Sequence, residues 1–182
     1  MISKKDIRAQ VRLAFAGRTA AELASASAAA CAAVRSYIDS MGKPGMTILL
    51  YWSLPDEVRT EALAEELRSA GHTVLLPVVV GEEMILRVFH GTGDMASGPF
   101  GILEPRGGEF TDYGSIDLAI VPGRAFTASG DRLGRGRGYY DKFLPLLKCP
   151  RAGLCYPWQI VPAIPTDPHD IPMDVVLTSK QL

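Results

Sequence analysis

Apolar and polar positions change period along the chain, and the changes predict its elements. Near the start, Ile7, Val11 and Phe15 recur at the spacing of one helical face. Ser3 and Asp6 stand before that face as a capping pair, and Gly17 closes the helix. Thr19 and Glu22 repeat the signal and open a long Ala-rich helix towards Met41, after which Gly42-Lys43-Pro44-Gly45 turns the chain. From Met46 the pattern becomes one of short runs. Met46 to Trp52 (MTILLYW) and Thr73 to Val80 (TVLLPVVV) read as strands buried on both faces. Between them Asp56 is expected to open a helix with Ala62, Leu63 and Leu67 on one face and Gly71 as its stop. Gly81-Glu82-Glu83 turns into a third strand, Met84 to Phe89; Gly91 to Gly108 reads as a surface loop. Ile116 to Val121 is another buried strand, residues 122–138 a Gly/Arg loop, Tyr139 to Leu147 a helix, and Ala152 to Tyr156 and Asp174 to Thr178 two short late strands.

Strands alternating with helices predict an α/β fold: one three-layer domain over residues 1–182, Rossmann-like, with a mostly parallel sheet flanked by helices. There is no internal repeat and no linker that would divide the chain. Of the residues, 47% are hydrophobic and 21% charged, which excludes bulk disorder. Lys and Arg total 19 against 20 Asp and Glu, a net charge of -1, which disfavours a dedicated duplex-binding protein. Cys31, Cys149 and Cys155 are odd in number and form no CxxC pair, so neither a disulfide framework nor a zinc ribbon is expected. With no leader-like segment and no apolar run long enough to span a bilayer, a cytoplasmic protein is expected, one that binds no membrane.

The chemistry concentrates between Val121 and Asp141, after a buried strand and before a helix, where open α/β sheets hold their ligands. Gly130, Gly134, Gly136 and Gly138 allow tight turns and close approach of a ligand to the backbone. Exposed amides and the helix start favour an anion. Arg132, Arg135 and Arg137 add forked donors suited to phosphate oxygens, and Asp141 follows where it could hold a cation beside them. Composition alone also allows a Gly/Arg loop that grips RNA or another polyanion without catalysis. The spacing is neither a Walker loop, since no Gly-Lys-Ser/Thr follows, nor a dinucleotide fingerprint.

The string Pro122-Gly123-x-Ala125-Phe126, followed by Gly130-x-Arg132-Leu133-Gly134-Arg135-Gly136-Arg137-Gly138-Tyr139-Tyr140-Asp141, closely resembles the signature of the 5-formyltetrahydrofolate cyclo-ligase (methenyltetrahydrofolate synthetase) family. The resemblance runs along nearly the whole chain. It includes Lys4-x-x-x-Arg8, the segment Tyr51 to Thr60 with Glu57, Gly71 to Pro77, Gly101-Ile-Leu-Glu104-Pro105, and Gln159, Pro165, His169-Asp170 and Asp174. One position departs: two residues after Glu57, where the family often has an acid, stands Arg59.

The resemblance implies closure of 5-formyltetrahydrofolate to 5,10-methenyltetrahydrofolate with ATP and magnesium, through a phosphorylated formyl (iminophosphate) intermediate. A monomer acting on a small-molecule substrate is expected, and the near-zero net charge with Asp141 and Asp170 argues against nucleic acid as a partner. The resemblance assigns ATP to Lys4, Arg8 and the run Arg132, Leu133, Gly134, Arg135, Gly136, Arg137, Gly138, Tyr139 and Tyr140. The folate falls to Trp52, Glu57 and the run from Arg135 to Tyr139; magnesium falls to Asp141 and Asp170. Arg135, Arg137 and Tyr140 are the expected catalytic groups. The residues suit these tasks, because phosphoryl transfer is chiefly positioning and neutralisation of moving charge. Lys4 and Arg8 share a helical face, although a solvated basic face would look the same. Glu57 could take hydrogen bonds from two pterin nitrogens, or be a first-turn helix acid. Trp52 reads as a stacking wall or as a core aromatic, and one of Tyr139 and Tyr140 is expected in the core. His169 is expected to orient Asp170; His72 and His90 read as structural.

Overall fold

Side-chain caps start the two N-terminal helices in the computed structural model, which describes residues 2–98 and 101–179. Ser3 Oγ accepts from the Asp6 N–H while the Asp6 carboxylate accepts from the Ser3 N–H, opening α1 (Lys4–Ala16). Thr19 and Glu22 do the same for α2 (Ala20–Met41), which ends on Gly42 in the left-handed region at φ +63°.

The strands are β1 (Thr47–Leu49), β2 (Thr73–Val80), β3 (Glu83–Val88), β6 (Leu118–Pro122), β9 (Arg151–Leu154) and β10 (Val175–Leu177), in the order β10-β9-β6-β1-β2-β3. Every neighbouring pair is parallel except β2 and β3, which form an antiparallel hairpin at one edge. Alternation along the buried strands divides the core. Ile48, Val74, Leu76, Leu118 and Ile120 face α2 and α3 (Glu61–Ser69) through Val34, Ile38, Leu63 and Leu67. Leu49, Leu75, Ala119 and Val121 face the opposite layer through Phe143, Leu144 and Leu147. This is the expected α/β domain. β1 runs to β2 on one side, and β6 lies on its other side, so the strand order reverses between β1 and β6.

Several boundaries differ from the sequence reading. The helix expected at Asp56 begins at Glu61, with Thr60 as its cap position. The intervening residues are held in turns: Glu57 N–H donates to Leu54 O at 3.0 Å, and Thr60 Oγ1 donates to Tyr51 O at 2.5 Å. The Gly91–Gly108 loop contains a small hairpin, β4 (Met95–Ser97) against β5 (Leu103–Pro105). The Gly/Arg loop contains another, β7 (Ala125–Phe126) against β8 (Arg132–Leu133). The helix expected over Tyr139–Leu147 divides into α4 (Tyr139–Phe143) and a 3-10 turn, Leu144–Leu146, because Pro145 cannot supply the amide that would extend it. The first strand is shorter than its apolar run. Leu50 still donates its N–H to Leu75 O at 2.9 Å, but the chain then leaves the sheet.

Outside the two main cores, α1 packs Ile7 and Val11 on Ala125 and Leu133, covering the β7–β8 hairpin. All three cysteines are buried and unpaired. Burial pushes the Cys31 thiol up to about 11 and the Cys155 thiol up to about 12, which keeps both from acting as nucleophiles near neutrality. Among the described residues, no helix is long and apolar enough to cross a membrane.

Candidate active site

The early departure of β1 opens the site. Phe89 N–H donates to Val74 O, so in the β2–β3 register the even positions of β2 face β3 and the odd ones face β1. The missing amide of Pro77 therefore points where β1 has already turned away, and no ladder bond is lost. Pro77 and Val79 instead wall a cavity of about 460 Å³. Its other walls come from the segment after β1 (Tyr51, Trp52, Leu54, Glu57), from Met84, Ile102 and Glu104, and from the segment after β6. The cavity lies at the strand-order reversal, where an α/β sheet is built to hold a ligand.

Eleven of the residues expected to bind ligand line this space: Trp52, Glu57, Arg132, Gly134, Arg135, Gly136, Arg137, Gly138, Tyr139, Tyr140 and Asp141. Glu57 is only 7% exposed. Its Oε2 accepts from Leu54 N–H at 2.9 Å, and its Oε1 accepts from Arg135 Nε at 3.1 Å and Nη2 at 3.0 Å. Arg135 also donates to Asp56. The carboxylate expected on the pterin and the guanidinium expected on phosphate therefore touch across one cavity.

Arg132 has a different posture from that expected of a phosphate ligand. Its Nη1 donates to Pro122 O at 3.0 Å and its Nη2 to Asp141 Oδ1 at 2.6 Å, and its guanidinium lies 5.4 Å from the Tyr140 ring centroid. It clamps the start of the loop to the start of α4. Leu133 turns its side chain into the core beside Ile7 and Val11, so only its backbone follows the loop. The Tyr140 hydroxyl is buried and meets no hydrogen-bond partner among the described residues. Burial, aided by the Glu57 carboxylate, pushes this phenol far up, so it stays protonated and can act only as a donor or a neutral acceptor. Tyr139 Oη donates to Gly81 O at 3.4 Å. Trp52 serves both readings: it lines the cavity and packs on Phe89, ring centroids 5.7 Å apart.

Lys4, Arg8 and Asp170 are not lining residues, but α1 brings Lys4 and Arg8 to the loop's flank, where Lys4 meets Asp170 of the C-terminal segment. Arg8 Nε donates to Gly134 O at 3.0 Å. Lys4 Nζ bridges Asp167 at 2.6 Å and Asp170 at 2.8 Å. Asp170 also accepts from the Asp167 N–H at 2.8 Å. Burial raises the Asp170 carboxyl, but Lys4 and the Asp167 amide outweigh it, and the group stays below its ordinary range. Asp141 and Asp170 thus each face a cation, Arg132 and Lys4, in the positions where magnesium is expected. Carboxylate donors of this kind suit magnesium. Among the described residues no three His, Cys, Asp or Glu side chains converge as a metal cluster.

The glycines fit an anion cradle. Gly136 and Gly138 have φ of +93° and +74°, a region costly for other residues, and the exposed Arg135 and Arg137 flank Gly136. Gly130, at φ +102°, lies so close to the C-terminal segment that a Cβ there would be 2.3 Å from Met173 O.

Sequence reasoning missed part of the site. Asp56 and the buried Arg124 form an ion pair behind Arg135. Gln159, buried, donates to Gly123 O at 2.9 Å and to Arg124 O at 3.2 Å, holding the chain as it leaves β6. Glu104 lines the far wall, where burial raises its carboxyl. Only Gln159 and Glu104 carried any sequence signal. Arg59, the departing position, is exposed and does not line the cavity.

Residues 1–179 match the model of the 5-formyltetrahydrofolate cyclo-ligase family. The 5-formyltetrahydrofolate cyclo-ligase of Mus musculus is 31% identical over 145 residues, covering 71% of each chain. That of Escherichia coli is 30% identical over 145 residues, covering 75% of this chain and 79% of its own. The solved structure of Aquifex aeolicus 5,10-methenyltetrahydrofolate synthetase is 31% identical, with a TM-score of 0.85, over 98% of this chain and 90% of that one.

Proposed function

This chain belongs to the 5-formyltetrahydrofolate cyclo-ligase family and is an enzyme of that kind, and on that premise we propose that its cavity closes the ring of 5-formyltetrahydrofolate at the expense of Mg-ATP. The observation that carries the reading is the contact of Arg135 with Glu57. A folate held by Glu57 would have its formyl group beside the arginines that steady a phosphoryl group.

A formyl oxygen on N5 is a poor leaving group, and ATP supplies the phosphoryl group that lets it depart as phosphate. Glu57 accepts hydrogen bonds from the pterin, and Trp52, Pro77, Val79 and Met84 give the folate an apolar wall. Arg135 and Arg137 neutralise charge on the moving phosphoryl with forked donors. The Tyr140 hydroxyl, buried and without a hydrogen-bond partner among the described residues, donates towards the formyl oxygen. Lys4, Arg8 and the backbone from Arg132 to Gly138 cradle the nucleotide. Asp141 and Asp170 would hold the magnesium ion, which would neutralise charge on the nucleotide phosphates; in this structure Arg132 and Lys4 face the two carboxylates. The formyl oxygen attacks the γ-phosphorus of ATP, the bond to the bridging oxygen breaks and ADP leaves, giving the iminophosphate, and N10 attacks the formyl carbon. The C–O bond breaks, phosphate leaves with the former formyl oxygen, and N10 loses its proton.

In this reading residues 1–182 form one cyclo-ligase domain that works as a cytoplasmic monomer on small molecules, without nucleic acid or membrane. Mixing the protein with 5-formyltetrahydrofolate and Mg-ATP tests it. Absorbance of the methenyl product should rise only when both ATP and magnesium are present. Ring closure without nucleotide, or nucleotide hydrolysis without ring closure, would overturn it.

A further inference from the structure

Arg124 occupies the unspecified position of Pro122-Gly123-x-Ala125-Phe126, and nothing in the signature accounts for an arginine there. Its surroundings do. The side chain is 9% exposed and ion-paired to Asp56. Asp56 is shared: it also accepts from Arg135, which in turn grips Glu57. The backbone of Arg124 is fixed at both polar groups, its N–H donating to Leu133 O at 2.7 Å and its carbonyl accepting from Gln159 at 3.2 Å. The pair therefore joins two segments distant in sequence, the turn after β1 and the strand end after β6, at the point where Arg135 must choose its partners.

We propose that Arg124 is a positioning residue for phosphoryl transfer, which by occupying Asp56 keeps Arg135 from being held too tightly by its two carboxylates. The charge count gives the reason. Asp56, Glu57, Arg124 and Arg135 sum to zero. Without Arg124 the group carries a net negative charge beside the cavity that receives a polyanion, and Asp56 Oδ2, which Arg135 Nη1 now reaches only at 3.5 Å because Arg124 shares it, can close on Arg135 as well. Folate binding engages Glu57 and loosens one hold on Arg135, and Arg124 weakens the other. The guanidinium can then turn to phosphate once both substrates are present. This inference rests on the ATP reading of the cavity.

The test is a double-mutant cycle of Arg124→Leu and Asp56→Asn, with Arg124→Lys as the conservative control. Arg124→Leu should raise the KM for ATP and lower kcat, the combined loss in kcat/KM for ATP being about 10-fold or more. The KM for folate should change less than about threefold. Adding Asp56→Asn should restore ATP use to within about threefold of Asp56→Asn alone, because the charge count returns to zero. Arg124→Lys should keep most of the activity. A fall in Tm with both KM values unchanged would make the pair structural and overturn the inference. So would a double mutant no better than Arg124→Leu. Failure of the wild-type protein to use ATP at all would instead overturn the reading on which the inference rests.

Discussion

Replacing Glu57 by glutamine keeps the side-chain shape and exchanges one acceptor oxygen for a donor nitrogen. A carboxylate has about four lone-pair positions. In the cavity Oε1 already accepts two N–H groups of Arg135, at 3.1 and 3.0 Å, and Oε2 accepts the Leu54 N–H at 2.9 Å. One position therefore remains for a pterin N–H, and a second pterin contact requires Arg135 to yield. Glutamine cannot meet even the existing demands. Either its NH2 faces the Leu54 amide, or it faces the Arg135 guanidinium, donor against donor in both cases. With its one oxygen taken by these groups, glutamine presents a donor to the pterin N–H, which is left without an acceptor on binding, at a cost of about 1–3 kcal/mol in a site this enclosed. Folate affinity should fall by about 10- to 100-fold. ATP affinity measured without folate should stay within about threefold, because Asp56 still holds Arg135. Calorimetric titration of each ligand into both proteins reads the two effects separately. Equal losses for both ligands, or unchanged folate binding, would refute the assignment of Glu57 to the pterin.

Arg137→Ala should lower kcat by ~100-fold while changing the KM for folate little, the order seen when one donor to transition-state charge is removed; wild-type turnover would reduce the residue to surface charge. Gly130→Ala should cost about 3 kcal/mol and lower Tm by roughly 6–12 °C, since the alanine would combine a strained φ with a clash against Met173 O; a Tm within about 2 °C of wild type would refute the close approach. Hydrogen bonds to Asp167 and Asp170 hold Lys4 above its ordinary 10.5, and Asp170 is held below 3.8. The depressed acid stabilises above its unfolded value and loses that as pH falls through the folded one; the raised lysine stabilises below its unfolded value and loses that as pH rises through its folded one. The attachment of α1 to residues 167–170 should thus loosen at both extremes, by less than about 1 kcal/mol for so exposed a pair. Asp170→Asn should flatten the acid limb of Tm against pH, and an unchanged limb would contradict the coupling.

Local signals carried the helix starts. The pairs Ser3–Asp6 and Thr19–Glu22 cap because each residue satisfies the other's backbone amide within four residues. The buried strands were equally legible, because a sheet covered on both faces uses continuous apolar runs and here turn residues keep those runs too short for a helix. The misreadings share a different cause. Asp56 resembled a helix start, but its carboxylate is committed to Arg124 and Arg135, far along the chain. The β4–β5 and β7–β8 hairpins are two or three residues per strand, too short for any alternation to register. The Gly/Arg loop announced an anion site through composition, yet Arg132 turned out to be a clamp on Asp141, a role visible only once the loop is folded. Glu57, marked by resemblance, acquired its physical meaning from Leu54 and Arg135, a neighbour in sequence and a neighbour only in space.

The central claim is that ring closure is driven by transfer of a phosphoryl group to the formyl oxygen in this cavity. The most direct measurement uses 5-formyltetrahydrofolate carrying heavy oxygen in its formyl group, turned over with Mg-ATP, with ADP, methenyl product and phosphate quantified by mass spectrometry. ADP and product should form in equal amounts, and the released phosphate should carry the heavy atom. Unlabelled phosphate, or ADP formed out of step with the methenyl product, would contradict the account.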